Sequence, residues 1–128
     1  MNVSITDEQK LQHAAAYASA SAALDFDAIA ELSEPGIVVW HNFDEVEVDA
    51  AGAARALRWL HGKVRDLVAR DVAVLPTPQG YVRQALLTGT GPGGPLRLHS
   101  CTVVTLSPAG KVARIEEYLD TAAMAPLS

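Results

Sequence analysis

Four strand-like runs in the second half of the sequence, joined by very short connections, constrain the fold more than any other feature. Residues 71–75, 81–90, 96–106 and 111–119 are rich in β-branched and other apolar side chains. The segments between these runs are short and contain Pro and Gly. Because such connections join antiparallel neighbours and cannot form parallel crossovers, we predict a long antiparallel sheet.

The first half of the sequence predicts helices. Thr6 begins a Thr-x-x-Gln pattern of the capping-box type, so we expect a helix from there through the alanine-rich segment to Leu24. Asp25 is suited to cap a short second helix over residues 26–32, which the Pro35-Gly36 pair ends.

One strand and one further helix complete the predicted elements. Residues 37–43 form a β-branched and aromatic run that is typical of a strand. Asp49 is a candidate cap for a third helix, whose apolar stripe begins at Ala53 and reaches Leu67. Helices in the first half and strands in the second indicate an α+β fold, with a curved antiparallel sheet wrapped around the three helices.

Length and composition limit the classes of protein that fit. The chain has 128 residues, of which 49% are hydrophobic and 20% charged, so residues 1–128 are expected to form one packed domain. The formal net charge is −5 and the basic residues are dispersed, so we expect no nucleic-acid partner and no binding to an anionic membrane.

The expected compartment is the cytoplasm. No apolar run approaches the ~18 residues that a membrane helix needs, and the N-terminal segment does not look like a signal peptide. The single Cys101 has no partner for an internal disulfide, which fits a reducing environment.

The order of these elements resembles the nuclear transport factor 2-like superfamily, which has a cystatin-like fold and includes ketosteroid isomerases, SnoaL-type polyketide cyclases, scytalone dehydratase and limonene epoxide hydrolase. Local matches are Tyr17 on the first helix, residues 25–30, residues 37–42 and residues 110–119. The resemblance implies a cone-shaped domain around one internal pocket. It also implies a small-molecule ligand and a homodimer.

The resemblance implies roles for three residues. Laid on the ketosteroid isomerase pattern, Tyr17 matches the oxyanion-stabilising tyrosine, His41 falls where the catalytic aspartate would be, and Thr102 falls near the protonated aspartate. Of the three residue types in that pattern, this chain has only the tyrosine. Since a threonine is a much weaker acid than a carboxyl group, the pattern argues against steroid isomerisation itself but allows a related proton transfer or hydration.

Strand periodicity identifies further candidates for the pocket. If Val39 faces the core, the period of two turns His41 inward, and on the last strand Ile115, Glu117 and Leu119 share one face. On the strand before it, Ser100 and Thr102 share a face and alternate with outward-facing His99 and Cys101. The expected substrate-binding residues are Val39, Ser100, Thr102, Ile115 and Leu119.

Each candidate for catalysis has a structural alternative. His41 is either an acid–base group or a core histidine bonded to the backbone or to Asp44. Glu117 either pairs with His41 or forms a structural salt bridge, for instance with Arg83, whose facing relative to its neighbour Gln84 stays open. Tyr17 is either a donor to a substrate oxygen or a buried tyrosine with a backbone partner.

Other chemistries find little support in the sequence. No Gly-rich phosphate loop, Gly-x-Ser-x-Gly elbow or metal-ligand spacing occurs, so we expect no cofactor and no metal site. An outer sheet face that carries His99, Cys101 and Val103 is apolar enough to be covered, which favours a homodimer through the sheet. The sequence therefore predicts an isomerase or lyase for a small, apolar carbonyl-containing or hydroxylated molecule. The alternatives are a non-catalytic binding or accessory protein and, less favoured, an epoxide hydrolase-like enzyme.

Overall fold

The computed structural model describes residues 4–128; residues 1–3, which belong to the N-terminal segment discussed above, lie outside the described part. The described chain contains three α-helices, six strands and a C-terminal 3-10 helix. Their bounds are α1 Asp7–Ala22, α2 Phe26–Glu31, β1 Ser33–His41, β2 Glu47–Val48, α3 Ala50–Lys63, β3 Arg65–Thr77, β4 Gly80–Gly91, β5 Gly94–Leu106, β6 Val112–Leu119 and the 3-10 helix Thr121–Leu127.

Local side-chain chemistry begins each helix at the predicted residue. Thr6 and Gln9 form the capping box, with Oγ1 of Thr6 accepting from the Gln9 amide at 3.1 Å and Oε1 of Gln9 accepting from the Thr6 amide at 2.8 Å. Asp25 caps α2 and Asp49 caps α3 through their carboxylate oxygens.

The six strands form one open sheet in the order β2-β1-β6-β5-β4-β3. The predicted α+β class with helices in the first half is confirmed. The sheet is mixed rather than wholly antiparallel, because β1 pairs with β6 in parallel while the other neighbours are antiparallel. This parallel pairing is possible because α3 and four strands lie between β1 and β6 in the chain, which is enough for a crossover.

Several predicted boundaries were wrong. Pro35 and Gly36 do not separate α2 from the strand but lie within β1, where the pairing with β6 is irregular between Ser33 and Val38. A proline without an amide hydrogen is tolerated at such an irregularity. Helix α3 ends at Lys63 with Val64 as its C-cap, and Leu67, the last residue of the predicted stripe, belongs to β3. Neither β2 nor the 3-10 helix was predicted.

Bulges bend the sheet around the helices. One extra residue, Val72, is inserted in β3 between Asp71 and Ala73, and further shifts occur in β1–β6 and β5–β6 pairing. Two clusters of buried side chains pack between the sheet and the helices, one around Tyr81 and Val112 and the other around Leu98 and Leu127. Within residues 4–128, no helix is long and apolar enough to cross a membrane.

Candidate functional site

The main cavity lies between the inner face of the sheet and the helices, and it has a volume of about 280 Å³. It is lined from β1 and β3–β6, from α1 and α3, and from the C-terminal 3-10 helix. All eight site residues predicted from the sequence contribute to its wall: Tyr17, Val39, His41, Ser100, Thr102, Ile115, Glu117 and Leu119. Seven of these residues lie on strands, where the alternation of side chains turns them toward the cavity, and Tyr17 lies on α1.

His41 and Glu117 are neighbours across the parallel β1–β6 pair. Nε2 of His41 lies 3.4 Å from Oε1 of Glu117, and the two side chains are 15% and 31% exposed. This contact is longer than a typical N–H···O hydrogen bond but well within ion-pair range. The predicted His41–Glu117 proximity is present, and neither the Asp44 nor the Arg83 alternative supplies the direct partner.

The Glu117 carboxylate raises the pKa of His41 above its ordinary value. Its hydrogen-bonding interaction with the imidazole is the largest cause; partial burial acts in the opposite direction, and the negative charges of Glu117 and Asp44 add to the increase. Glu117 therefore stabilises the protonated form of the imidazole, in a cavity wall that is otherwise largely apolar.

Asn42 fixes the strand ends that hold this pair. Its side-chain amide donates to the Leu119 carbonyl at 3.0 Å and its Oδ1 accepts from the Leu119 amide at 2.9 Å. The Asn42 backbone amide also donates to the Glu117 carbonyl at 3.0 Å. Since these bonds continue the β1–β6 pairing one residue beyond His41, they hold the His41 and Glu117 backbones in register.

A row of polar side chains extends from this pair across the inner face of the sheet. Thr102 is the register partner of Glu117, and Arg83 is the register partner of Thr102. Arg83 faces the main cavity, while Gln84 is exposed, which answers the question that the sequence left open. Nε of Arg83 donates to Oδ1 of Asp71 at 2.6 Å, so its structural partner is Asp71 and not Glu117.

Tyr17 reaches the main cavity from the middle of α1. Burial raises the pKa of its hydroxyl, the Ser33 side chain opposes that shift, and the nearby charge of Glu117 adds to it. The hydroxyl is therefore kept protonated, which is the state in which it can donate a hydrogen bond to a ligand oxygen.

Several lining residues were not predicted. Phe43 lies next to the site, with its ring centroid 5.0 Å from that of His41, and Met124 lines the cavity from the 3-10 helix. Trp59 and His61 line it from the end of α3. An inward strand alternation could identify His41 and Glu117, but these four residues lie beyond strand ends or on helices, where periodicity does not show which face meets a cavity.

A second histidine is buried next to the main cavity. His13 is 6% exposed and Tyr81 2% exposed. Nδ1 of His13 lies 3.0 Å from the Tyr81 hydroxyl and Nε2 lies 2.9 Å from the Leu32 carbonyl. Because a carbonyl only accepts, Nε2–H of His13 donates to the Leu32 carbonyl, and the unprotonated Nδ1 accepts a hydrogen bond from the Tyr81 hydroxyl. Both ring nitrogens of His13 are therefore bonded to other groups of the protein.

Metal-ligating side chains are not clustered in the part of the chain that is described: no group of three His, Cys, Asp or Glu residues there is placed to hold a metal ion.

The geometry above defines the class of fold. The chain has the nuclear transport factor 2-like fold, which it shares with SnoaL-like and ketosteroid isomerase-like structures. No protein-family model matches the chain, and no curated protein matches it by sequence.

Three solved structures illustrate the likeness. A SnoaL-like protein from Jannaschia sp. CCS1 has a TM-score of 0.83 at 19% identity, covering 100% of this chain and 98% of that one. An LEH-like epoxide hydrolase from M. tuberculosis has a TM-score of 0.72 at 15% identity, covering 91% and 86%. A protein with a ketosteroid isomerase-like fold from Catenulispora acidiphila, in complex with trimethylamine, has a TM-score of 0.74 at 10% identity, covering 87% of each chain.

Proposed function

We propose that this protein is an isomerase or lyase that moves a proton on a small, mostly apolar molecule bearing a carbonyl or hydroxyl group. The observation that supports this most strongly is the contact between His41 and Glu117 in the wall of a largely apolar cavity. A histidine with an adjacent carboxylate is suited to accept and return protons near neutral pH. The fold alone does not define the chemistry.

The proposed step begins with neutral His41. Its imidazole takes a proton from a carbon next to the substrate carbonyl, and the electron pair of the broken C–H bond moves to the carbonyl oxygen as an enolate. Glu117 stabilises the imidazolium that forms. The carbonyl then re-forms and the electron pair moves on. In an isomerisation it moves through a conjugated C=C to the far carbon, which takes the proton from the imidazolium; in an elimination it forms a C=C as the neighbouring C–O bond breaks, and the leaving oxygen takes the proton.

Hydrogen-bond donors along the cavity wall would stabilise the enolate oxygen. Tyr17, Thr102 and Arg83 all line the main cavity and can donate. Arg83 retains guanidinium N–H groups beyond the Nε that donates to Asp71. We propose that one of these donors compensates for the absence of a protonated carboxyl group at position 102.

The test measures proton transfer without requiring the natural substrate. Purified protein is incubated with 2-tetralone in D₂O, and deuterium incorporation next to the carbonyl is followed by NMR above the buffer rate. We expect wild-type protein and the control variant Lys111→Gln, at an exposed position in the connection between β5 and β6, to accelerate exchange, and His41→Gln to lose the acceleration. Equal rates in wild type and His41→Gln would contradict the proposal.

A non-catalytic binding or accessory protein is the second candidate. It is favoured by the direct contact between His41 and Glu117, because two side chains that pair with each other can serve the fold alone. A thermal-shift screen against steroids, polyketide-like aromatics and terpenoids identifies ligands of either candidate. Ligands that bind the cavity while no carbonyl compound exchanges would support this second function.

Epoxide hydrolysis is less favoured. That chemistry, as the resemblance implies it, uses an Asp-Arg-Asp set inside the pocket. Arg83 lies in the main cavity with Asp71 as its partner, but Asp71 does not line the cavity and its side chain is 48% exposed. Glu117 would have to act in place of the second aspartate.

We also propose a cytoplasmic homodimer formed through the outer face of the sheet. Leu75 and Tyr118 are 54% and 44% exposed on that face, and Trp40 packs edge-on against Tyr118 with ring centroids 5.3 Å apart. Cys101 is a free thiol, in keeping with a reducing compartment. Light scattering of the wild type and of Tyr118→Glu tests this: a dimer that dissociates in the variant supports it, and a wild-type monomer contradicts it.

A further inference from the structure

A second cavity of about 460 Å³ lies next to the main one. It is bordered by α1, α2, the beginning of β1 and the first half of α3. Most side chains that line only this cavity are apolar, among them Phe26, Ile29, Ala30, Ile37 and Ala54. The prediction of a single internal pocket is therefore incomplete.

The two cavities are adjacent and share part of their walls. Tyr17, Ser21, Ala53 and Leu57 line both of them. Ser21 and Ala53 are small, so the partition consists mainly of the Tyr17 ring and the Leu57 side chain. A ligand that reaches Tyr17 from the main cavity is therefore already at the boundary of the second cavity.

Two polar groups that line only the second cavity have hydrogen-bond partners. The Ser33 hydroxyl donates to the Ile29 carbonyl at 2.6 Å, and Oε1 of Glu34 accepts from the Ser107 hydroxyl at 2.5 Å. Apart from these two groups and the two polar residues shared with the main cavity, the wall is apolar, so most of the surface that it offers to a ligand is apolar.

Helices α2 and α3 are bridged where they border this cavity. The Arg58 guanidinium of α3 lies over the Phe26 ring of α2, 4.2 Å from the ring centroid. This contact joins two of the elements that border the second cavity and fixes their relative position at the Phe26 side.

The volumes of the two cavities also suggest that one ligand occupies both of them. At about 280 Å³, the main cavity lies just below the roughly 300–1,000 Å³ range of sites for drug-sized ligands. The second cavity lies inside that range but has no acid–base residue of its own apart from the partnered Glu34 and the shared Tyr17. Reactive groups lie on one side of Tyr17 and apolar space on the other.

We propose that the second cavity is a subsite for an uncharged apolar tail, such as an alkyl or isoprenoid chain, of a substrate whose polar head lies at His41 and Glu117. The position of the head rests on the function proposed above. The tail subsite adds that the natural substrate is elongated, with an apolar chain that passes Tyr17.

The test uses 4-methylphenol, 4-butylphenol and 4-hexylphenol as probes, with dissociation constants from titration calorimetry. In wild type we expect the affinity to rise about fourfold per methylene that enters the apolar subsite. Ala54→Phe and Ala30→Leu fill the second cavity and line no part of the main one. Ala15→Phe adds the same bulk as the first variant on the exposed side of α1 and is its matched control.

In Ala54→Phe and Ala30→Leu we expect 4-methylphenol to bind as in wild type, while the ratio of the dissociation constants of 4-methylphenol and 4-hexylphenol falls by at least about tenfold. In Ala15→Phe this ratio should equal that of wild type. An unchanged chain-length dependence in either folded cavity-filling variant overturns the subsite, as does a failure of all three phenols to bind. Loss of tail binding without any 2-tetralone exchange in wild type would support the subsite and refute the proposed catalysis.

Discussion

The two histidines nearest the centre of the molecule have opposite surroundings. His13 is buried between Tyr81 and the Leu32 carbonyl, and burial lowers its pKa despite the bond to Leu32. His41 lies at the edge of the main cavity beside Glu117, which raises its pKa. One imidazole is held neutral with both nitrogens engaged, and the other is poised to gain and lose a proton.

The difference shows that the partners of a histidine determine its role in this molecule. A neutral hydroxyl partner in a dry interior makes His13 a fixed link between α1, β4 and the end of α2. A charged partner at a half-open cavity makes His41 titratable. We therefore expect His41 to take part in proton transfer and His13 to stabilise the fold, and the following variants test that difference.

The largest expected effect is on proton transfer. His41→Gln keeps a polar side chain of similar length but cannot exchange a proton, so we expect the deuterium incorporation into 2-tetralone to fall about 10²- to 10⁴-fold. Its free energy of unfolding in urea should change by less than about 1 kcal/mol, because the ion pair is partly solvated. A large stability loss with unchanged exchange would reverse the roles assigned to the two histidines.

His13→Leu should show the opposite pattern. The variant leaves the buried Tyr81 hydroxyl and the Leu32 carbonyl without their partner, which is expected to cost about 1–3 kcal/mol of unfolding free energy. The exchange rate per folded molecule should stay near that of wild type. Urea titration and the 2-tetralone assay on the same sample check both points; lost exchange in a fully folded variant would refute the separation.

Asn42→Ala sharpens the comparison, because it acts on the position of His41 and not on its chemistry. Losing two side-chain bonds to Leu119 should cost about 1–2 kcal/mol and reduce exchange less than His41→Gln does. Asn42→Ser, which can restore one of the bonds, should recover part of both effects. An exchange rate equal to wild type in Asn42→Ala would show that strand register does not position the pair.

The smallest expected effect is a difference in the pH dependence of stability. A raised folded-state pKa means that the His41 contribution is fully present below pH 6.5 and is lost as the pH rises through the folded pKa. A lowered pKa means that the His13 contribution is present above pH 6.5 and is lost as the pH falls through the folded pKa.

Urea titrations between pH 5 and pH 9 test this opposition. The stability difference between wild type and His41→Gln should shrink with rising pH, by less than about 1 kcal/mol, while that between wild type and His13→Leu should grow. Slopes of the same sign for the two variants would contradict the opposite electrostatic surroundings.

Features determined by neighbouring residues could be predicted from the sequence. The caps at Thr6, Asp25 and Asp49 depend on side chains within three positions of a helix start. The inward facing of His41 and Glu117 follows from strand alternation once the strands are recognised. Their contact also requires β1 and β6 to be adjacent in the sheet, which strand alternation does not show.

Features that depend on distant pairings could not be predicted. The parallel β1–β6 register, the bulge at Val72 and the Arg83–Asp71 contact arise from strand pairing across long stretches of chain. The second cavity depends on how α2 packs against α3, where small alanines leave space that no local pattern reveals. His13 looked like an ordinary helix residue because its partners, Tyr81 and Leu32, lie on other elements.

The most direct test of the central claim is an NMR titration of the His41 imidazole in wild type and in Glu117→Gln, with His13 as the internal reference. We expect His41 in wild type to titrate above pH 6.5 and to shift to lower pH in the variant, while His13 stays below 6.5 in both. A wild-type His41 that titrates at or below pH 6.5, unaffected by Glu117→Gln, would show that no acid–base pair exists in this cavity.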